Sequence, residues 1–188
     1  MQEAKLKQYP NGEDYLNFRE GRLIWFQSIW QMKNKKIIPV MSFKQAVEAT
    51  PDVATGYNIG LTALKAYSSK ISVSDPRLLH GSIDIDDCTR NMYPNENRWD
   101  YAFAYNDEVI FIEVHTANTS QVRVVLKKLH WLKDWLNLKA PEINKLKSKS
   151  RPPYYWIQSN GFAIPKTSPQ YRLVETSNLK PISILRLP

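Results

Sequence analysis

The hydrophobic period of this chain changes several times, and each change marks an element. From Tyr15 to Met32 apolar residues are dense (Leu16, Phe18, Leu23, Ile24, Trp25, Phe26, Ile29, Trp30) and interrupted by Gly21, which predicts a helix packed on the core, followed by a solvated turn at Lys33-Asn34-Lys35-Lys36. Ser42 with Gln45 three positions on is a capping-box pattern, so a short helix is expected to run to about Ala49, where Pro51 stops it. A second helix is expected over 56–67, with Ile59, Leu61, Leu64 and Tyr67 among its apolar positions. After Asp75-Pro76 the period falls to two. The segment 78–86 reads as a half-buried strand, and 99–105 and 109–115 read as two more, joined by a tight Asn106-Asp107 hairpin.

Thr119-Ser120 is expected to cap the clearest helix, whose stripe Val122, Val125, Leu126, Leu129, Leu132 and Leu136 recurs at three- and four-residue spacing, with Pro141 ending the region. A further strand is expected at 154–158, with looser ones at 171–174 and 182–187 in the proline-punctuated tail. The pattern is that of one α/β domain over 1–188, a mixed sheet flanked by helices, with an extra N-terminal helix and C-terminal strands.

Composition narrows the classes. With 43% hydrophobic and 12% aromatic residues the chain is unsuited to extended disorder. No run approaches the roughly 18 apolar residues of a membrane span, and the polar start Met1-Gln2-Glu3-Ala4-Lys5 lacks a secretory stretch. Cys88 is the only cysteine, so no internal disulfide is available and a cytoplasmic setting is the default expectation. A formal charge of +8 favours encounter with polyanions, of which nucleic acid is the commonest; the plainer reading is solubility.

Side chains two apart on a strand share a face, so Glu113 and His115 lie with Phe111, while Ile110, Ile112 and Val114 fill the other face. Antiparallel pairing across the hairpin sets residues near 100 opposite residues near 114, which brings Asp100 and Glu113 close enough to share a divalent cation. Hard ions such as Mg²⁺ take one or two carboxylates plus water and substrate phosphate. Asp100 also suits a strand-end turn, Glu113 an ion pair with Arg98 or Arg123, and His115 a structural hydrogen bond. By the same rule His80, Ser82, Asp84 and Asp86 share one face of the first strand, either extending the acidic cluster or facing solvent.

The order helix, strand, strand with Asp, strand with Glu-x-His, helix, strand resembles the αβββαβ core of the PD-(D/E)XK nuclease superfamily, which includes restriction endonucleases, over about 42–159. Trp99-Asp100 stands at its Pro-Asp and Glu113-Val114-His115 at its (Asp/Glu)-x-Lys. The resemblance implies that Asp100 and Glu113 hold Mg²⁺ or Mn²⁺ and that water attacks a phosphodiester of DNA or RNA. His115 replaces the lysine, as base or water-positioner, or as the mark of a catalytically inactive member that binds nucleic acid or a protein partner. Lys127 or Lys128 would supply the missing ammonium, Gln121 would face the site from the helix start, and Glu48 would be the added acid of the first helix.

For the polyanion itself the helix offers Arg123, Lys127, Lys128, His130 and Lys133, with Trp131 and Trp135 beside them, the tryptophans being expected mainly to pack on the N-terminal helix. The loop carrying Lys145, Lys147, Lys149 and Arg151 is the stronger candidate for phosphate contact. A structural or interaction protein with no nucleic-acid role is the remaining alternative.

Overall fold

A computed structural model describes residues 7–8, 14–15 and 41–188. The chain divides into two units, Met1–Val40 and Met41–Pro188. In the first, β1 (Lys7–Gln8) pairs antiparallel with β2 (Asp14–Tyr15). The helix expected over 15–32 lies outside the described residues, apart from Tyr15, which closes β2.

The second unit is built on a mixed five-stranded sheet. Its strands are β3 (Asn58–Ile59), β5 (Leu79–Asp84), β6 (Tyr101–Tyr105), β7 (Glu108–His115) and β8 (Tyr154–Gln158), in that spatial order. The first four run antiparallel to their neighbours, and β8 lies parallel to β7. Asn106 and Asp107, at φ 50° and 61°, form the two-residue turn between β6 and β7. Left-handed conformation at both central positions matches the right-handed twist of the flanking strands, and Asn and Asp tolerate it better than most residues. This turn fixes Tyr105 opposite Glu108 and Tyr101 opposite Ile112.

β7 is covered on both faces and reads as a nearly continuous apolar run for that reason. On one face Ala102, Ala104, Val109 and Phe111 meet α1 (Phe43–Glu48) and α3 (Val122–Leu138). On the other, Tyr101, Phe103, Tyr105, Ile110, Ile112 and Val114 meet Leu64, Ile71, Leu185 and Leu187. These come from a 3-10 segment (Thr62–Lys70) and from β4 (Ile71–Val73) and β9 (Leu185–Leu187), which pair parallel with each other. The sheet is thus sandwiched between helices and a second, less regular layer.

α1 begins at the expected capping box: Ser42 Oγ accepts from Gln45 N (3.3 Å), and Ser42 N donates to Gln45 Oε1 (2.9 Å). α3 starts later than expected. Asn118, not Thr119 or Ser120, accepts the Gln121 N–H, through both its carbonyl and its side chain at 3.2 Å.

Five further expectations are corrected. The segment 56–67 is not one helix but β3 followed by the 3-10 segment, broken where Lys65 takes φ 52°, ψ −126°. The strand expected over 78–86 stops at Asp84, whose carboxylate accepts from Asp87 N (2.9 Å) and caps a short helix, α2 (Ile85–Thr89). Pro141 does not end α3, which stops at Leu138, but opens α4 (Pro141–Lys145) as its first residue. The segment 171–174 is helical, inside α5 (Pro169–Thr176), because Ser168 caps it and Pro169 occupies its first position. The last strand is shorter than the expected 182–187.

α3 is pinned near its C-terminal end by one carboxylate. Asp52 accepts from the Trp135 indole N–H (2.9 Å) and from the Tyr93 hydroxyl (2.8 Å), which together with burial pushes the Tyr93 phenol up to about 12. Asp52→Ala leaves two donors without their charged acceptor and is expected to destabilise the fold by about 2–3 kcal/mol; urea unfolding should show it, and an unchanged midpoint would discount the hub.

Candidate functional site

The hairpin register decides what meets at the end of the sheet. Continuing one pair beyond Tyr101–Ile112 puts Asp100 across from Glu113. The two lock together: Asp100 N donates to Glu113 Oε2 (3.3 Å), and Val114 N donates to Asp100 Oδ2 (2.9 Å). Both side chains lie on the α3 face, as the two-residue rule requires for Phe111, Glu113 and His115.

From α3, the Lys128 ammonium reaches down to both carboxylates. It stands 2.8 Å from Asp100 Oδ1 and also donates to Glu113 Oε1. Glu113 is fully buried, while Asp100 and Lys128 keep 18% and 15% of their side chains exposed. Water therefore reaches the rim of the cluster but not its innermost acid.

His115 completes the chain of contacts. Its Nδ1 lies 3.4 Å from Glu113 Oε1, and its Nε2 lies 2.8 Å from Gln121 Oε1. A carboxamide oxygen only accepts, so Nε2 carries a proton and Nδ1 is the nitrogen that gains or loses one against Glu113. Burial, reinforced by Asp100 and opposed by His115 and Lys128, pushes Glu113 up to about 7. The His115 imidazole is raised chiefly by its contact with Glu113. The 3.4 Å approach of Nδ1 to Glu113 Oε1 places these two groups to exchange a proton. Burial disfavours the Lys128 ammonium, but the two carboxylates outweigh it and keep it charged.

The structure brings Asp100, Glu113, His115, Gln121 and Lys128 together and leaves the other candidates elsewhere. Glu48 is exposed on α1 and faces Lys44 at 3.8 Å, one helical turn away. Lys127, about 100° round the helix from Lys128, points outward into a groove with Arg123. Neither Arg98 nor Arg123 pairs with Glu113: Arg98 holds Asp86 (2.9 Å). The first strand does not extend the acidic cluster, since Asp84 pairs with Lys65 (3.2 Å), Asp86 lies in α2, and His80 lies near Asp107 (3.4 Å). Within the second unit Trp135 is in the core and Trp131 stacks on it at 6.0 Å; the N-terminal helix expected against them lies outside the described residues.

The basic loop lies at the other end of β7. Lys149 N and Ser150 N each donate to Glu108 Oε1 at 2.9 Å, and Ser148 Oγ donates to Glu108 Oε2 at 2.8 Å, with the Ser150 hydroxyl also donating there. Arg151 sits 3.8 Å from the same carboxylate, Lys145 pairs with Glu142 (2.6 Å), and Lys147 bonds Asn144 (3.1 Å). The loop has closed around an internal anion. Five residues of extended strand separate Glu108 from Glu113, roughly 17 Å. Sequence reasoning missed this cage because backbone amides, its main donors, carry no side-chain signal.

Among the described residues no three His, Cys, Asp or Glu side chains cluster closely enough to form a metal site by themselves. The Asp100 and Glu113 oxygens nevertheless converge on one point, where the Lys128 ammonium now lies. Two carboxylates fit a Mg²⁺ or Mn²⁺ ion whose remaining ligands are water and a substrate phosphate. No helix among the described residues is long and apolar enough to cross a membrane. Comparison with protein-family models, with curated proteins and with solved structures finds no match to the chain.

Removing the ammonium tests the balance of the cluster. Lys128→Met leaves two facing carboxylates, one fully buried, and is expected to cost about 3–5 kcal/mol at neutral pH. In that variant the folded-state carboxyl lies above its unfolded value, so the loss should grow as pH rises through the unfolded carboxylate range and shrink as pH falls and Glu113 takes a proton. Denaturant titrations at several pH values measure both; a loss independent of pH would contradict the assignment.

Proposed function

We propose that the second unit is a nuclease-like, divalent-metal-dependent hydrolase of phosphodiesters in DNA or RNA. The observation that carries this reading is the convergence of Asp100 and Glu113, from adjacent antiparallel strands, on an ammonium delivered by the following helix. The order α1, β5, β6, β7, α3, β8 supports it, being the helix–three strands–helix–strand succession of the PD-(D/E)XK core. So does the net charge of +8, which favours a polyanionic substrate.

Each residue has a distinct task in this reading. Asp100 and Glu113 are the ligands of the cation, which when bound would activate water and offset phosphodiester charge. Lys128 takes the part of the lysine that the Glu113-Val114-His115 triplet lacks: it reaches the same point from α3 and offers an ammonium to a phosphate oxygen. His115 accepts or returns a proton at Nδ1. Gln121 is a positioning residue that fixes the imidazole through Nε2. The closed arrangement requires the Lys128 side chain to swing aside when the cation and substrate phosphate enter, which a long, unbranched stem permits.

The second reading is a catalytically inactive nuclease-fold protein that binds nucleic acid or a partner. It is favoured by the ammonium already satisfying both carboxylates and by the absence of a third acid among the described residues.

Glu113→Gln is close to isosteric and is expected to lower Mg²⁺- or Mn²⁺-dependent cleavage of mixed plasmid, single-stranded and RNA substrates by at least about a hundredfold. It should also weaken Mn²⁺ binding measured by calorimetry. Cleavage and metal affinity both equal to those of the unsubstituted chain would refute the assignment, and nucleic-acid binding with no cleavage by either protein would select the second reading.

A further inference from the structure

We propose that the groove along the outer face of α3 is a subsite for one unpaired nucleotide of a single-stranded nucleic acid. This rests on the nucleic-acid reading above and names its substrate class. The groove is open to solvent and offers about 500 Å³, comparable in size to small-ligand sites of roughly 300–1,000 Å³. One wall is a row on α3: Arg123, Lys127 and Trp131, successive at four-residue spacing, so that two cations are followed one turn later by an aromatic ring. Arg123 and Lys127 are exposed, and neither is ion-paired among the described residues. The opposite wall is the turn containing Glu96 and Asn97.

Each part matches a part of a nucleotide. The guanidinium and ammonium suit the phosphate backbone. The Trp131 ring suits a base: it is held in place by parallel stacking on Trp135 (6.0 Å, 9°) and by a T-shaped contact with Tyr93 (5.8 Å, 72°), so little is lost in ordering it. Across the groove, the Glu96 carboxylate accepts from an exocyclic amino group, and the Asn97 carboxamide both donates and accepts. Of the remaining lining residues, Asp134 Oδ2 lies 3.3 Å from His130 Nε2. The groove and the carboxylate pair are linked along the chain: Lys127 precedes Lys128 on α3, and the Glu96–Asn97 turn leads through Arg98 and Trp99 to Asp100. A base paired within a duplex keeps its faces in the helical stack and cannot meet the ring, which is why the subsite selects an unpaired strand.

The test uses the full chain in EDTA, so that hydrolysis plays no part, and reads anisotropy of a labelled oligodeoxyadenylate alone and as its duplex. The single strand should bind more tightly. Trp131→Ala should weaken it about tenfold or more, Trp131→Phe should retain most of the affinity, and Arg123→Ala/Lys127→Ala should weaken it and reduce the salt slope by about 1.4. Lys149→Ala, at the other end of β7, should change nothing. Equal affinity for the duplex, or unaltered binding by both Trp131→Ala and the double variant, overturns the inference. The cleavage assay is separate: binding that depends on Trp131 without cleavage removes the hydrolase reading and leaves the groove, whereas cleavage with no dependence on Trp131 removes the groove alone.

Discussion

Burying Glu113 is the constraint around which the end of the sheet is organised. An isolated carboxylate taken fully out of water is so costly that it would either surrender its charge or unfold the strand that carries it. Here three neighbours share the problem. Lys128 supplies a counter-charge, His115 supplies a proton donor or acceptor, and the Asp100 backbone N–H supplies a hydrogen bond. Each of those neighbours is fixed by a separate element: α3, the last residue of β7 and the entry to β6. A cluster assembled from three directions holds its charges close while admitting solvent at one edge.

The same arrangement explains why a structural and a chemical reading of the cluster are so close in energy. A buried ion triad contributes little net stability compared with a well-packed apolar substitute. A fold that merely needed a filled core would have no reason to place two acids, an imidazole and an ammonium at the one point where the central strand emerges. Such coupled, partly buried groups, with the innermost carboxyl pushed up by burial, are characteristic of sites that handle protons or cations.

Much of this was legible in the sequence, and the gaps have physical causes. The β6–β7 hairpin could be read from the Asn-Asp turn, but the turn placed residues near 100 only roughly, opposite residues near 114; the observed register sets Asp100 across from Glu113. The apolar stripe of α3 was visible, but it fixes the helix's buried face and not its rotation or height relative to β7. Lys127 and Lys128 therefore remained alternatives until the packing chose between them. Glu48 was misplaced for a similar reason: its neighbour at helical spacing, Lys44, holds it on the solvent side. The short C-terminal helix was hidden because Tyr-Arg-Leu-Val has strand-like composition, and the deciding residues, Ser168 and Pro169, precede it. The break at Lys65 has no sequence signature, since a lysine does not advertise a positive φ.

α3 carries three functions on three sides of one rod. Its buried stripe builds the core, Lys128 closes the carboxylate pair, and Arg123, Lys127 and Trp131 form a wall of the outer groove. Arg123, Lys127, Lys128 and Trp131 share one seventeen-residue unbroken helix, so the groove wall and the attachment point of the Lys128 ammonium move together. A repacking of Leu129 or Leu132, remote from any ligand, would shift both together. Changes in the hydrophobic interior of this protein are consequently changes in the geometry of its surface.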